Sequence, residues 1–132
     1  MLRQKNFILK AIAGLMLLLI AMPVFAVSGS LTDQIVHGGA SQVIVWGAKN
    51  EPNSMDVNIS SITWNGQSDF KFRGYAYSNG SATTACTYAK SITGTGYRAA
   101  TYTSHPAEAC MKMSIASTNC CDFLKFSGTY AI

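Results

Sequence analysis

The chain has 132 residues, 48% hydrophobic and only 12% charged, with a formal net charge of +4. Three of its ten basic residues, Arg3, Lys5 and Lys10, precede an apolar run; the rest of the chain sets seven basic residues against six acidic ones, a net +1. That balance, with no clustered basic face, gives no basis for nucleic-acid binding, and the length fits one core rather than two.

Residues 1–26 read as a secretory signal peptide with a helical apolar segment. The positive end leads into the run at 11–22, and Val24-Phe25-Ala26 is a small-residue cleavage site that puts the mature start at Val27. The run is at the short end for crossing a bilayer, so no membrane span is expected in the mature chain. The leader has a bacterial look, and the expected location is secreted, either periplasmic or extracellular. Residues 27–33 are small and polar and read as a flexible leader; 34–132 read as a single domain.

Within that domain the alternation is that of strands. Residues 34–37 and Gln42–Ala48 are strand-like and flank His37-Gly38-Gly39-Ala40, a two-glycine turn signal. Val43-Ile44-Val45-Trp46 is apolar at every position, as in a strand covered on both faces. Pro52 and two asparagines make 49–54 a loop. From Met55 the pattern runs through Val57 and Ile59, slips by one at Ser60-Ser61, and resumes on Ile62 and Trp64. A slip of one residue in a regular strand predicts a β-bulge.

Asn65-Gly66 is a turn signal, and 69–77 alternates again. Phe70, Phe72, Gly74 and Ala76 take one side; Lys71, Arg73, Tyr75 and Tyr77 take the other. Asn79-Gly80 turns the chain into 83–90, with Cys86 and Tyr88 on a shared face. Thr93-Gly94-Thr95-Gly96 leads into 97–103. The final stretch, 107–132, contains two runs, Met111, Met113 and Ile115, then Leu124, Phe126, Gly128, Tyr130 and Ile132. Joined by a turn near Asn119, they predict a hairpin with one apolar side. Turns recur at roughly the 8- to 12-residue spacing of an all-β fold, here a small antiparallel β-sandwich of about seven or eight short strands.

Four cysteines in a short exported chain, without a C-x-x-C, predict disulfides rather than a metal site, each stabilising by roughly 2–4 kcal/mol. A tight terminal hairpin would leave Cys110 to pair with Cys86, with Cys120 and Cys121 as a vicinal bridge or as thiols. A looser connection would let Cys86 and Cys110 each take one of the adjacent pair. Neighbouring strand residues point to opposite faces, which favours the second arrangement.

Reactive centres have little material to draw on. His37 and His105 stand among scattered serines without a G-x-S-x-G elbow, and six acidic residues are spread singly, with no D-x-D pattern. No enzyme activity, metal or cofactor is therefore expected. Tyrosine, tryptophan and arginine dominate binding hot spots, so the row Lys71, Arg73, Tyr75 and Tyr77 is the candidate binding face. Trp46 and Trp64 read as core.

The tail, alternating on Leu124, Phe126, Gly128, Tyr130 and Ile132 to the last residue, resembles the terminal strand of chaperone-assembled pilus subunits over about nine residues. Elsewhere the chain departs from that family: its leader is polar, and every cysteine follows residue 85. The resemblance implies an assembly subunit that pairs edge strands, giving a homo-oligomer. The residues themselves favour a non-enzymatic secreted module that binds a glycan, a peptide or a protein surface, with a small hydrolase as a third reading.

Overall fold

The computed structural model describes residues 28–49, 53–65 and 69–132. The expected signal peptide lies outside them, as do Gly66 and part of the loop at 49–54. Nine strands run through the described residues: β1 (Ser28–His37), β2 (Gln42–Ala48), β3 (Ser54–Asn65), β4 (Phe70–Ser78), β5 (Ser81–Ala85), β6 (Lys90–Ile92), β7 (Gly96–Thr101), β8 (Glu108–Ile115) and β9 (Phe123–Ala131). They form two antiparallel sheets packed together. The first has the order β1-β9-β3-β7; the second has β2-β8-β4-β5, with β6 also paired to β4.

The core follows from alternation. Met55, Val57 and Ile59 of β3, Leu124 and Phe126 of β9, and Leu31 and Val36 of β1 face inward from the first sheet. Phe70 and Phe72 of β4 and Met111, Met113 and Ile115 of β8 meet them from the second. Rings bridge the two layers: Phe70 lies 5.7 Å from Phe126 and meets Trp64 edge-on at 5.8 Å. Each fully buried Phe of this kind contributes about 1.5–3 kcal/mol relative to exposure.

Two local expectations hold in detail. The register between β3 and β9 shifts between Ile59 and Ser61, so the bulge sits where the alternation slips. On the partner strand, Gly128 faces this irregularity, and a Cβ there would come within 2.1 Å of the Asn58 carbonyl oxygen. At Asn79-Gly80 both residues have positive φ, 51° and 76°, which gives the primed turn that joins β4 to β5 as a hairpin.

The long-range expectations change more. β8 and β9 do not form a hairpin: β8 lies between β2 and β4, and β9 lies between β1 and β3, in opposite sheets. Their apolar sides face each other across the core. Residues 116–122 carry the chain from one sheet to the other. They run beside the 38–41 connection, which also changes sheets, because β1 pairs with β9 and β2 with β8. Amides of Gly38 and Gly39 donate to the carbonyls of Asp122 (3.0 Å) and Ser117 (2.9 Å), which lock the two crossovers together. The two-glycine turn is thus a corner. The stretch read as a flexible leader, 27–33, is from Ser28 onward the first half of β1, held by β9.

The run at 83–90 is also broken. The Gly74 carbonyl accepts the amides of both Cys86 (2.9 Å) and Thr87 (3.3 Å), and the buried Thr87 hydroxyl accepts the Gly74 amide at 2.8 Å. The chain kinks there, so Cys86 turns into the core while Tyr88, expected on the same face, stands 69% exposed.

No two cysteines lie at bonding distance, and the favoured pairing of Cys86 and Cys110 with Cys120 and Cys121 is overturned. Cys110 pairs in register with Tyr75, whose other neighbour is Ala85, so β4 stands between Cys110 and Cys86. Two strand spacings, about 9.5 Å, exceed disulfide reach. Cys120 and Cys121 sit exposed in the crossover beyond Ile115, about 17 Å of strand from Cys110.

Candidate functional site

The outer face of the second sheet carries the predicted row. On β4, Phe70 and Phe72 are buried while Lys71 and Arg73 are exposed and Tyr75 and Tyr77 half-buried, so the four candidate residues share one side. Cross-strand neighbours extend the row: Arg73 faces Lys112 of β8, which faces Val43 of β2, and Tyr75 faces Cys110, which faces Trp46.

These neighbours form an aromatic and cationic surface. Trp46 stacks on Tyr77 with ring centroids 5.3 Å apart and planes 14° from parallel, yet remains 60% exposed. The Lys112 ammonium lies 5.1 Å from the Tyr75 ring centre and the Arg73 guanidinium 5.9 Å from it, within cation-π range. Arg73 is aimed by a hydrogen bond from its Nε to the Thr87 carbonyl (3.0 Å), so the β5–β6 kink also sets the position of this side chain. A shallow cleft of about 200 Å³ lies between Ser41, Lys71, Arg73, Tyr75, Lys112 and Ser114. Among the described residues no carboxylate forms a salt bridge with Lys71, Arg73 or Lys112.

Beneath the rings, Cys110 is fully buried although it belongs to the outer face. Burial pushes its thiol above 9.0, and burial followed by the neighbouring Cys110 thiol pushes Cys86 up to about 11. Both are held neutral, and they act as small apolar fillers.

Trp46 is the residue that sequence reasoning misplaced. The register of β2 on β8 shifts between Val43 and Val45, so Ile44 and Val45 both pack against the core while Val43 and Trp46 both face out. β2 is an edge strand, and its unbroken apolar run reflects this bulge rather than burial on two faces. Lys112 was legible, since it alternates with Met111 and Met113, but nothing local placed it beside Tyr75. Trp64 is core-facing as expected.

The two histidines do not meet. His37 ends β1 beside Phe123, whereas His105 lies over Tyr102 just before β8, at the other end of that strand. Among the described residues there is no group of three or more His, Cys, Asp or Glu side chains that could hold a metal ion, and no helix is long and apolar enough to cross a membrane. Comparison with protein-family models, curated proteins and solved structures finds no match to this chain.

Proposed function

We propose that this chain is an exported, non-enzymatic binding module whose second sheet holds an acidic glycan across its outer face. The observation that carries the reading is Trp46, stacked flat on Tyr77 yet open to solvent, beside cations that pair with no carboxylate among the described residues. Flat rings receive the apolar face of a sugar ring; Lys71, Arg73 and Lys112 attract its carboxylate or sulfate groups. Trp46 and Tyr77 are already stacked and Arg73 is already held by the Thr87 carbonyl, so less side-chain order has to be created on binding. The apolar segment at 11–22 and its small-residue site support export.

The test is a titration of intrinsic tryptophan fluorescence with uronate-containing, sulfated and neutral oligosaccharides. The acidic chains should bind and the neutral ones should not. Trp46→Ala and Arg73→Ala should each weaken binding about 30-fold, the equivalent of about 2 kcal/mol, while thermal midpoints move little. Acidic chains that fail to bind, or that bind equally to both variants, would overturn the proposal.

A second reading, self-assembly through β2, has its own observation: this edge strand, QVIVWGA, contains no charge and no proline to block pairing. Its bulge works against it by disturbing the free edge. A monomer at high concentration by size-exclusion chromatography would remove this reading. The pilus-like tail lends it nothing, because β9 is paired on both sides.

A further inference from the structure

The crossover at 116–122 holds a feature that glycan binding does not use: two adjacent exposed cysteines whose sulfurs lie 3.9 Å apart. In a strand, neighbours point to opposite faces. Here a turn puts both sulfurs on one side, and hydrogen bonds fix that turn. The Cys121 amide donates to the Asn119 side-chain oxygen (3.0 Å) and the Asp122 amide to the Asn119 carbonyl (3.1 Å). The Asn119 amide donates to Ser117 Oγ (3.0 Å), and the same hydroxyl donates to the Asp122 carboxylate.

We propose that Cys120 and Cys121 are a redox modification site, a vicinal dithiol that closes reversibly into a disulfide by exchange with small-molecule disulfides such as oxidised glutathione. The fold removes the competing intramolecular partners, since Cys86 and Cys110 are buried and out of reach. Closure requires the sulfurs to approach from 3.9 Å to about 2 Å and forms an eight-membered ring across Cα atoms only about 3.8 Å apart, so the turn backbone must adjust along with the side chains. A ring between adjacent residues is strained and, on an exposed turn, open to attack, so the bond is readily reduced again.

The exchange balances in two steps. One cysteine thiolate attacks oxidised glutathione, forming a mixed disulfide and expelling one glutathione thiolate. The neighbouring thiolate then attacks the cysteine sulfur of that mixed disulfide and expels the second. The two cysteine protons end on the two glutathione thiols, and the protein is oxidised by two electrons. Because Gly38 and Gly39 are bonded to carbonyls on either side of the pair, closure also stiffens the corner between β1 and β2.

Intact-mass measurement of the folded full chain in oxidised glutathione tests the proposal. The expected result is a loss of two hydrogens, with the new link mapped within the Cys120-Cys121 peptide and reversed by excess reduced glutathione. In Cys120→Ser and in Cys121→Ser the first step should stop at a stable single glutathione adduct. A lasting adduct on the parent chain, a disulfide-linked dimer, no mass change, or variants that take up no glutathione would each overturn it. This outcome is independent of whether any oligosaccharide binds.

Discussion

The two outer faces of the sandwich obey the same alternation but dispose of their polar groups differently. On the first sheet the opposite charges Lys125 and Asp33 pair at 3.1 Å, and the Tyr97 hydroxyl donates to one Asp56 oxygen at 2.7 Å while the other Asp56 oxygen is buried without a hydrogen bond among the described residues. On the second sheet, Lys71, Arg73 and Lys112 line one cleft with Tyr75; Arg73 and Lys112 lie against the Tyr75 ring, Arg73 also bonds the Thr87 carbonyl, and among the described residues no carboxylate pairs with any of the three. The first face sets opposite charges beside one another, whereas the second gathers like charges and so carries an electrostatic cost that an anion would relieve. The contrast teaches that exposure alone does not mark a site; unanswered charge beside flat rings does.

The largest test of this contrast separates the two sides of β4. Phe72→Ala, which empties a fully buried position, should cost about 3–5 kcal/mol in urea unfolding, whereas Lys71→Ala on the adjacent outward position should stay within about 0.5 kcal/mol. A large loss for Lys71→Ala would mean that the cationic face serves the fold rather than a ligand.

A second test uses the Cys86 thiol, which the kink after β5 turns into the core. Between about pH 9 and 11 the unfolded chain gives up the Cys86 proton while the folded chain keeps it, so stability should fall as pH rises through that window. The slope from this group is at most about 1.4 kcal/mol per pH unit, and below pH 9 its contribution is constant. Urea midpoints measured across the window should decline less steeply in Cys86→Ala; equal slopes would show that burial does not hold this thiol neutral.

The smallest expected effect is on the outer face of the first sheet. Asp33 and Lys125 are both substantially exposed, so Lys125→Ala should change stability by about 0.5 kcal/mol or less and leave oligosaccharide titrations untouched. A binding loss there would move the site to the first sheet.

Much of the candidate face was readable before folding. Lys71, Arg73, Tyr75 and Tyr77 separate from Phe70 and Phe72 by period two alone, and the Ile59–Ser61 bulge and the Asn79-Gly80 turn each leave a local mark. Trp46 was misread because a bulge and two-sided burial produce the same apolar run. The terminal hairpin was misread because two alternating runs around a turn satisfy either a hairpin or a crossover between sheets; only the competing partners, β1 and β2, decide.

By itself, then, the sequence determined which side of β3, β4, β8 and β9 is apolar, where most turns fall, and that the domain after residue 33 would be all β. These properties depend on residues within a few positions of one another, where sterics and alternation act directly. Tertiary structure alone decided which strands pair, that β4 separates Cys86 from Cys110, and that Trp46 stands in the open beside Tyr77. Those outcomes rest on contacts between distant segments, in which many pairings bury similar apolar area and the mutual fit of all nine strands selects one.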